Sequence, residues 1–215
     1  MFDLHRHFSA EPSSRPALYA TSTQTEWELL TSVRYGGAGL LPHEPLAGLE
    51  AMYELLVHSP HLQIAEVGLD RRYRDLNEQE MFLRAVFDLA LELGRSVTLH
   101  CVHADGRMMN ILRGLSRRPR LLWHSFLGSY ETATEAAKLG IILSYSPRLY
   151  TAKLAKEGRR LTEIPFALES DYDLRYEEHY MVVWKNHQEH FANLTGWSID
   201  ELTRNNDEKR TILTH

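Results

Sequence analysis

Short apolar runs rich in β-branched residues alternate along this chain with segments of helical period, and this alternation constrains the fold more than any other feature. Such a pattern is typical of parallel β/α units, in which each strand is followed by a helix that packs on the sheet. Eight candidate strands are present, the number that closes a (β/α)8 TIM barrel. They lie at residues 2–6, 17–22, 34–41, 62–68, 96–101, 120–125, 140–146 and 164–170.

Helix signals occupy the segments between the candidate strands. The clearest helix follows the fourth strand, where Asp75 with Glu78 predicts the start and Gly94 predicts the end. Its apolar stripe, at helical spacing, consists of Phe82, Val86, Leu89 and Leu93. Two more starts are marked by the capping pairs Thr23/Glu26 and Ser198/Glu201. The further helices are predicted at residues 24–32, 45–57, 105–116, 130–139, 150–157, 177–194 and 199–209.

The first connection, residues 9–16, contains two prolines and three serines, so we expect the barrel to lack an outer helix after strand 1. The two last helices come after the eighth strand and should cover the closing seam. With 215 residues and an ordinary globular composition, the chain is predicted to form a single domain over residues 1–215.

Charge and cysteine content narrow the classes of function. The net charge is −5, and Lys and Arg are spread along the chain, which argues against a long basic surface for nucleic acid. The only cysteine, Cys101, excludes an internal disulfide and fits a reducing compartment. No signal peptide or membrane-spanning run is recognised, so we expect a cytoplasmic protein without a membrane partner.

Six potential metal ligands stand near the ends of these candidate strands. In a parallel barrel the carboxyl ends of all strands lie on one face, so side chains that are far apart in sequence converge there. Imidazole and carboxylate groups together suit zinc, manganese and similar divalent ions. The six are His5, His7, Glu66, His100, His124 and Asp171.

Each of these residues also has a purely structural interpretation. His5 and His7 point to the same side of a strand, and Asp3 before them is expected to orient a histidine by hydrogen bonding. Glu66 has the alternative of an ion pair with Arg71 or Arg72.

The other three ligands have alternatives of their own. His100 and His124 could be hydrogen-bonded core histidines. Asp171 could cap the helix that follows it.

Five short motifs resemble those of TatD-type metal-dependent hydrolases, which are (β/α)8 barrels of the amidohydrolase superfamily. The resemblance extends from residue 1 to about residue 205, and the motifs occur in the order of the family. They are Asp3-Leu-His5-Arg-His7, Ala65-Glu66-Val-Gly68-Leu-Asp70, Leu99-His100, His124-Ser-Phe126-Leu-Gly128-Ser129 and Glu169-Ser-Asp171.

The resemblance implies a centre of two divalent ions (Zn, Mn or Mg) and a metal-activated water that attacks a phosphoester. It places His5, His7 and Asp171 on one ion and His100 and His124 on the other, with Glu66 as the bridge. Asp171 would accept a proton from the water, and Glu66 is the second residue with a catalytic role. Cys101 is expected to point away from the pocket and is not a candidate nucleophile.

The chain departs from the family pattern at the substrate side. Val102 stands where the family has an arginine, and Leu41 replaces a pocket histidine. Acidic residues also follow Asp171, which would repel a polyanion. The remaining candidates for binding a substrate anion are Arg71, Arg72, His43 and Arg175.

We therefore expect a small phosphoester or short nucleic acid as the substrate in preference to long DNA. Two alternatives stay open. One is an amide, ester or lactone hydrolase that uses the same chemistry. The other is a metal-binding barrel with little catalytic activity.

Overall fold

Eight parallel strands form one sheet, in which each strand pairs with its neighbour in sequence. The computed structural model describes residues 1–8, 15–44, 46–73, 75–173 and 177–215. The sequence prediction of eight strands is confirmed, with shorter bounds for several of them. The strands are β1 Asp3–His7, β2 Ala17–Ala20, β3 Gly36–Ala38, β4 Gln63–Asp70, β5 Val97–Val102, β6 Leu121–Trp123, β7 Ile142–Tyr145 and β8 Phe166–Leu168.

The sheet closes between its first strand and the segment after its last. Asp171 N donates to His5 O at 3.0 Å, and His7 N donates to Tyr172 O at 2.9 Å. The buried side chain of Asn206 reinforces this seam, because its amide nitrogen donates to Phe2 O and Leu168 O, on the two sides of the seam. The (β/α)8 barrel is therefore confirmed, and the last helix covers the closing seam as expected.

In the described part of the chain, four α-helices and three 3-10 segments lie between the strands, and two α-helices follow the last strand. The helices are α1 Leu49–His58, α2 Leu76–Leu93, α3 Asp105–Gly114, α4 Tyr130–Lys138, α5 Glu177–Thr195 and α6 Ile199–Thr214. The 3-10 segments are Gln24–Ser32, Pro147–Thr151 and Lys153–Thr162. None of the described helices is long and apolar enough to span a membrane.

The capping residues recognised in the sequence also cap the helices in the structure. The Asp75 carboxylate accepts from Asn77 N at 2.9 Å, and Gly94 ends α2 with a φ of 68°, in the left-handed region. Ser198 and Glu201 form the capping box of α6. These local interactions need no tertiary contact, and for that reason they are visible in the sequence.

Three segments differ from the sequence prediction. The helix expected at 24–32 is a 3-10 segment, and the helix expected at 150–157 is replaced by two 3-10 segments, the second kinked at Gly158. The helix expected from residue 45 begins at Leu49. The predicted absence of a helix after strand 1 concerns mainly residues 9–14, which lie outside the described residues, and it stays a prediction.

A buried histidine on α5 gives the barrel a pH-dependent stability. His187 Nε2 donates to Tyr145 O at 2.8 Å, and its Nδ1 lies 2.7 Å from the Tyr150 hydroxyl. Burial lowers the pKa of His187 to about 4. Between pH 6.5 and 4 the unfolded chain therefore takes up a proton at this position that the folded protein excludes, and stability is lost as the pH falls.

We expect His187 to account for about 2 kcal/mol of the stability lost between pH 7 and pH 5. The difference is measured by urea unfolding of the wild type and of His187→Gln at both pH values, because the groups common to both proteins cancel. His58→Gln changes an exposed histidine and should retain the wild-type loss. An equal pH dependence in the wild type and His187→Gln would contradict the prediction.

Candidate metal centre

The carboxylate of Glu66 lies at the centre of the barrel mouth, with a ring nitrogen of each of four histidines around it. Its Oε1 is 3.1 Å from His124 Nε2, 3.3 Å from His100 Nδ1 and 3.9 Å from His5 Nε2. Its Oε2 is 3.3 Å from His7 Nε2. Four of the other five predicted ligands are thus gathered around the Glu66 carboxylate, although they come from three different strands or strand ends.

An irregularity in β4 gives Glu66 its position. The pairing register with β5 shifts between Ile64 and Val67, and Glu66 itself has a φ of 55°, in the left-handed region. This conformation is costly for a residue with a side chain, on the order of 1–3 kcal/mol, and such residues cluster at functional sites. The bulge therefore re-aims the Glu66 carboxylate within an otherwise regular strand.

Asp171, the sixth predicted ligand, lies on the other side of the seam from His5 and His7. Its Oδ1 lies 3.8 Å from His7 Nε2 and 4.0 Å from His124 Nδ1. Asp171 follows β8 rather than ending it and has a φ of 50°. Asp171 does not cap a helix directly after it, because residues 172 and 173 are not helical.

The alternative partner for Glu66 is also wrong. Arg72 makes its ion pair with Asp70, at 2.6 Å, and within the described residues neither Arg71 nor Arg72 pairs with Glu66. Burial alone would raise the pKa of Glu66. The adjacent histidines outweigh that effect and hold its pKa well below the usual range, so the carboxylate is ionised.

Among the candidate ligands, His5 gives the strongest indication of a bound cation. It is fully buried, and among the described residues neither its Nδ1 nor its Nε2 has a hydrogen-bond partner. Burial, followed by the nearby His124, lowers its pKa well below the usual value, so the ring is neutral and offers a free lone pair. Buried polar nitrogens are rarely left unsatisfied, and a divalent ion would satisfy one here.

Two carboxylates that the sequence analysis left without a role support the other histidines. Glu169 Oε1 lies 3.5 Å from His124 Nδ1, and Asp70 Oδ2 lies 3.4 Å from His100 Nε2. Burial would lower the pKa of each histidine, but these carboxylates together with Glu66 raise both pKa values. A carboxylate behind a ligating histidine fixes its orientation and increases its basicity.

The donor sets fit a metal ion. Within the described residues, three groups have ligand atoms within 4.8 Å of one another, and one of them is the first predicted set. His100 belongs to none of the three, although its Nδ1 lies 3.3 Å from His124 Nε2. The groups are His5 with His7 and Asp171, His5 with Glu66 and His124, and His124 with Glu169 and Asp171.

Further polar residues at the centre were not singled out in the sequence. The Ser22 hydroxyl donates to Glu66 Oε2 at 2.9 Å, and the Arg148 Nε lies 3.6 Å from Asp171 Oδ2. Glu169 had a sequence signal, since it stands two residues before Asp171. Ser22 and Arg148 had none, because they follow strands at positions where any polar residue is ordinary.

Asp3 supports the site differently from the prediction. Its Oδ1 accepts from the backbone N of His5 at 3.3 Å and of Ser170 at 2.9 Å, and its Oδ2 accepts from the Tyr180 hydroxyl at 3.1 Å. The carboxylate therefore holds the backbone on both sides of the seam instead of orienting an imidazole. Burial, which outweighs these hydrogen bonds, raises the pKa of Asp3 to about 7.

We expect Asp3→Ala to lower the free energy of unfolding by about 3 kcal/mol, because it leaves buried backbone donors unsatisfied. We also expect metal affinity to fall about 10- to 100-fold, since two ligand-bearing segments lose their common support. Urea unfolding in EDTA and a zinc titration measure the two effects. Asp88→Ala, on the exposed side of α2, is the control, and an Asp3→Ala protein equal to it in both measurements would refute the role.

Of the four predicted substrate-binding residues, His43 and Arg72 both lie next to the ring of Tyr73. Arg71 is exposed at the rim beyond β4, and Arg72 is held by both oxygens of Asp70. His43 lies on the neighbouring loop, after β3. Arg175 lies outside the described residues, so its predicted role stays a prediction.

The fold and this centre together define a class: a (β/α)8 barrel with a mixed imidazole and carboxylate site at the carboxyl ends of its strands. The chain matches the model of a family described as TatD related DNase over residues 18–209. It therefore belongs to that family, and the resemblance seen in the motifs is confirmed.

Known relatives agree with this assignment. The chain is 33% identical over 111 residues to a 3'-5' ssDNA/RNA exonuclease TatD of Musicola paradisiaca, which is 48% of this chain and 42% of the relative. It is 34% identical over 113 residues to the protein of the same name from Edwardsiella piscicida, which is 49% of this chain and 44% of the relative. The matched region thus spans less than half the length of these curated relatives.

A solved structure agrees in fold. The crystal structure of YJJV, a TatD homolog from Escherichia coli K12, superposes with a TM-score of 0.76 at 18% identity. The match covers 92% of this chain and 85% of that chain. At this identity the likeness establishes the shared barrel.

Proposed function

We propose that this protein is a divalent-metal-dependent hydrolase that cleaves phosphoester bonds in short single-stranded nucleic acid or small nucleotides. The observation that carries the proposal is the ionised, buried Glu66 carboxylate with four imidazole nitrogens within 3.9 Å of it. Names of the curated relatives, 3'-5' ssDNA/RNA exonucleases, support the substrate class. A cytoplasmic location stays a prediction from the single cysteine, Cys101.

Each ligand has a role in the proposal. His5, His7 and Asp171 would hold one divalent ion, His100 and His124 would hold a second, and Glu66 would contribute its carboxylate to both. Zn, Mn and Mg are the candidate ions, and the imidazole-rich set favours Zn or Mn over Mg. When bound, such ions supply Lewis-acid polarisation of a phosphoryl oxygen and activate a water as the nucleophile.

Asp171 and Arg148 provide a proton acceptor and a cation for the substrate phosphate. Asp171 Oδ1 lies at the mouth between His7 and His124, so it can accept the proton of the attacking water. The Arg148 guanidinium, next to Asp171 Oδ2 and 66% exposed, is positioned to bind a nonbridging phosphate oxygen. It supplies a cation in a protein that has Val102 in place of the family arginine.

The test is a metal-supplemented substrate panel with element analysis of the purified protein. We expect turnover of bis(p-nitrophenyl) phosphate and of a single-stranded oligonucleotide with added Mn or Zn, and its loss in His100→Ala. Undiminished activity in His100→Ala would refute the assigned site.

Two results would favour the alternatives. Turnover only of amide, ester or lactone substrates would indicate an acyl hydrolase on the same centre. Bound metal with no turnover of either substrate class would indicate a binding barrel.

A further inference from the structure

Two aromatic rings and a guanidinium lie side by side on the rim of the barrel mouth, on the loops that follow β3 and β4. The ring centroids of His43 and Tyr73 are 5.6 Å apart, with the planes inclined by 52°. The guanidinium carbon of Arg72 lies 5.5 Å from the Tyr73 centroid. We refer to His43, Arg72 and Tyr73 as the rim cluster.

All three side chains of the rim cluster are partly open to solvent. Tyr73 is 42% exposed, and the side chains of His43 and Arg72 are 37% and 56% exposed. A ring that serves only the core would be buried, because burial of its apolar surface is what stabilises the fold. Both rings therefore keep a substantial part of their surface open to solvent.

Arg72 contributes rigidity rather than free charge. Its Nε and one terminal nitrogen donate to both oxygens of Asp70, at 2.6–3.1 Å, so the charge is neutralised and the plane is fixed. A guanidinium held in this way borders the ring of Tyr73 and limits its movement. The cluster is thus better suited to a flat, uncharged group than to a phosphate.

Short contacts connect the rim cluster to the metal centre on both loops. Tyr73 N donates to Asp70 O at 3.2 Å, and the Asp70 carboxylate contacts His100 at 3.4 Å. On the other loop, Leu40 N donates to Glu66 O at 3.2 Å, three residues before His43. The loops that carry the rim cluster are therefore bonded directly to residues of the centre.

We propose that the rim cluster is a base-stacking subsite, which binds the nucleobase next to the scissile phosphate. This inference rests on the proposed function and extends it from phosphoesters in general to nucleotides. Aromatic side chains bind single-stranded nucleic acid in this way, since every base has a π-face, and the binding tolerates different sequences. Arg148 follows β7, on the opposite side of the barrel from the loops after β3 and β4 that carry the rim cluster.

Equilibrium binding tests the subsite without turnover. The probes are a fluorescein-labelled thymidine tetramer and an abasic tetramer of equal charge, with calcium as the divalent ion, measured by fluorescence anisotropy. We expect wild type to bind the thymidine tetramer about 5- to 100-fold more tightly than the abasic one. Tyr73→Ala should lose this preference, whereas Tyr73→Phe, which keeps the ring, should retain it.

The control is Tyr53→Ala, which removes an exposed tyrosine on α1 and should behave as wild type. His43→Ala should reduce the preference, because it removes the second ring. A wild type with no preference, or a Tyr73→Ala protein that keeps it, would overturn the subsite.

Cleavage assays with manganese separate the subsite from the proposed function. If both tetramers are cleaved at equal efficiency and Tyr73→Ala has no effect, the proposed hydrolase function is supported and the subsite is rejected. A Tyr73-dependent preference in binding without cleavage of either tetramer supports the subsite and rejects the hydrolase.

Discussion

Replacing Glu66 by glutamine should reduce kcat/KM on the order of a thousandfold, which corresponds to about 4 kcal/mol of transition-state stabilisation. The amide has the size of the carboxylate but lacks its negative charge, so it cannot balance two cations or the histidines around it. Bound metal per chain should fall as well. Steady-state kinetics with manganese and element analysis of the purified variant measure the two effects.

A metal-free measurement on the same variant checks the electrostatics independently. In the wild type, Glu169 and Glu66 together raise the pKa of His124. In Glu66→Gln the pKa of His124 should therefore fall, which NMR titration of the imidazole reports in EDTA. Glu54→Gln, on the exposed side of α1, should leave activity, metal content and the His124 titration unchanged. Retention of wild-type activity by Glu66→Gln would mean that Glu66 is not the bridge.

Asp171→Asn should lower kcat by roughly a hundredfold to ten-thousandfold, the range expected for loss of a general base. The asparagine can still offer an oxygen to a cation, so metal content should fall less than kcat does. Pre-steady-state and steady-state rates, with element analysis of the purified variant, measure these effects.

The matched control for this variant is Asp173→Asn, an exposed carboxylate two residues further along the chain. It changes the same local charge without touching the centre, so its kcat and metal content should remain those of the wild type. If Asp171→Asn loses metal and activity in parallel, Asp171 is a ligand and not the base.

The fold was predictable because its signals are local and repeat along the chain. Apolar runs, the cap at Asp75 and the stop at Gly94 each act within a few residues, and their alternation implies a parallel barrel. Convergence of the six ligand candidates followed from the topology alone, without knowledge of any side-chain contact. The 3-10 segments were not predicted, because capping pairs and helical spacing do not distinguish a 3-10 helix from an α-helix; the segment Lys153–Thr162 is also kinked at Gly158.

The finer features of the site depend on tertiary contacts, which the spacing of residues in the sequence does not reveal. The bulge that re-aims Glu66 and the left-handed backbone at Asp171 are set by neighbouring strands. Asp3 was predicted to touch an imidazole and instead holds two backbone segments, because its side chain lies in the seam. Arg148 acquires a role only when the loop after β7 is brought beside Asp171.

The seam between β1 and the segment after β8 links cation affinity to completion of the fold. One proposed donor set takes His5 and His7 from the first strand and Asp171 from beyond the last, so only a closed ring of strands presents it. An ion bound there would favour the closed ring over every open form, by an amount that grows with ion concentration. Bound zinc or manganese would then stabilise the closed barrel, and removal of the ion by a chelator would destabilise the seam first.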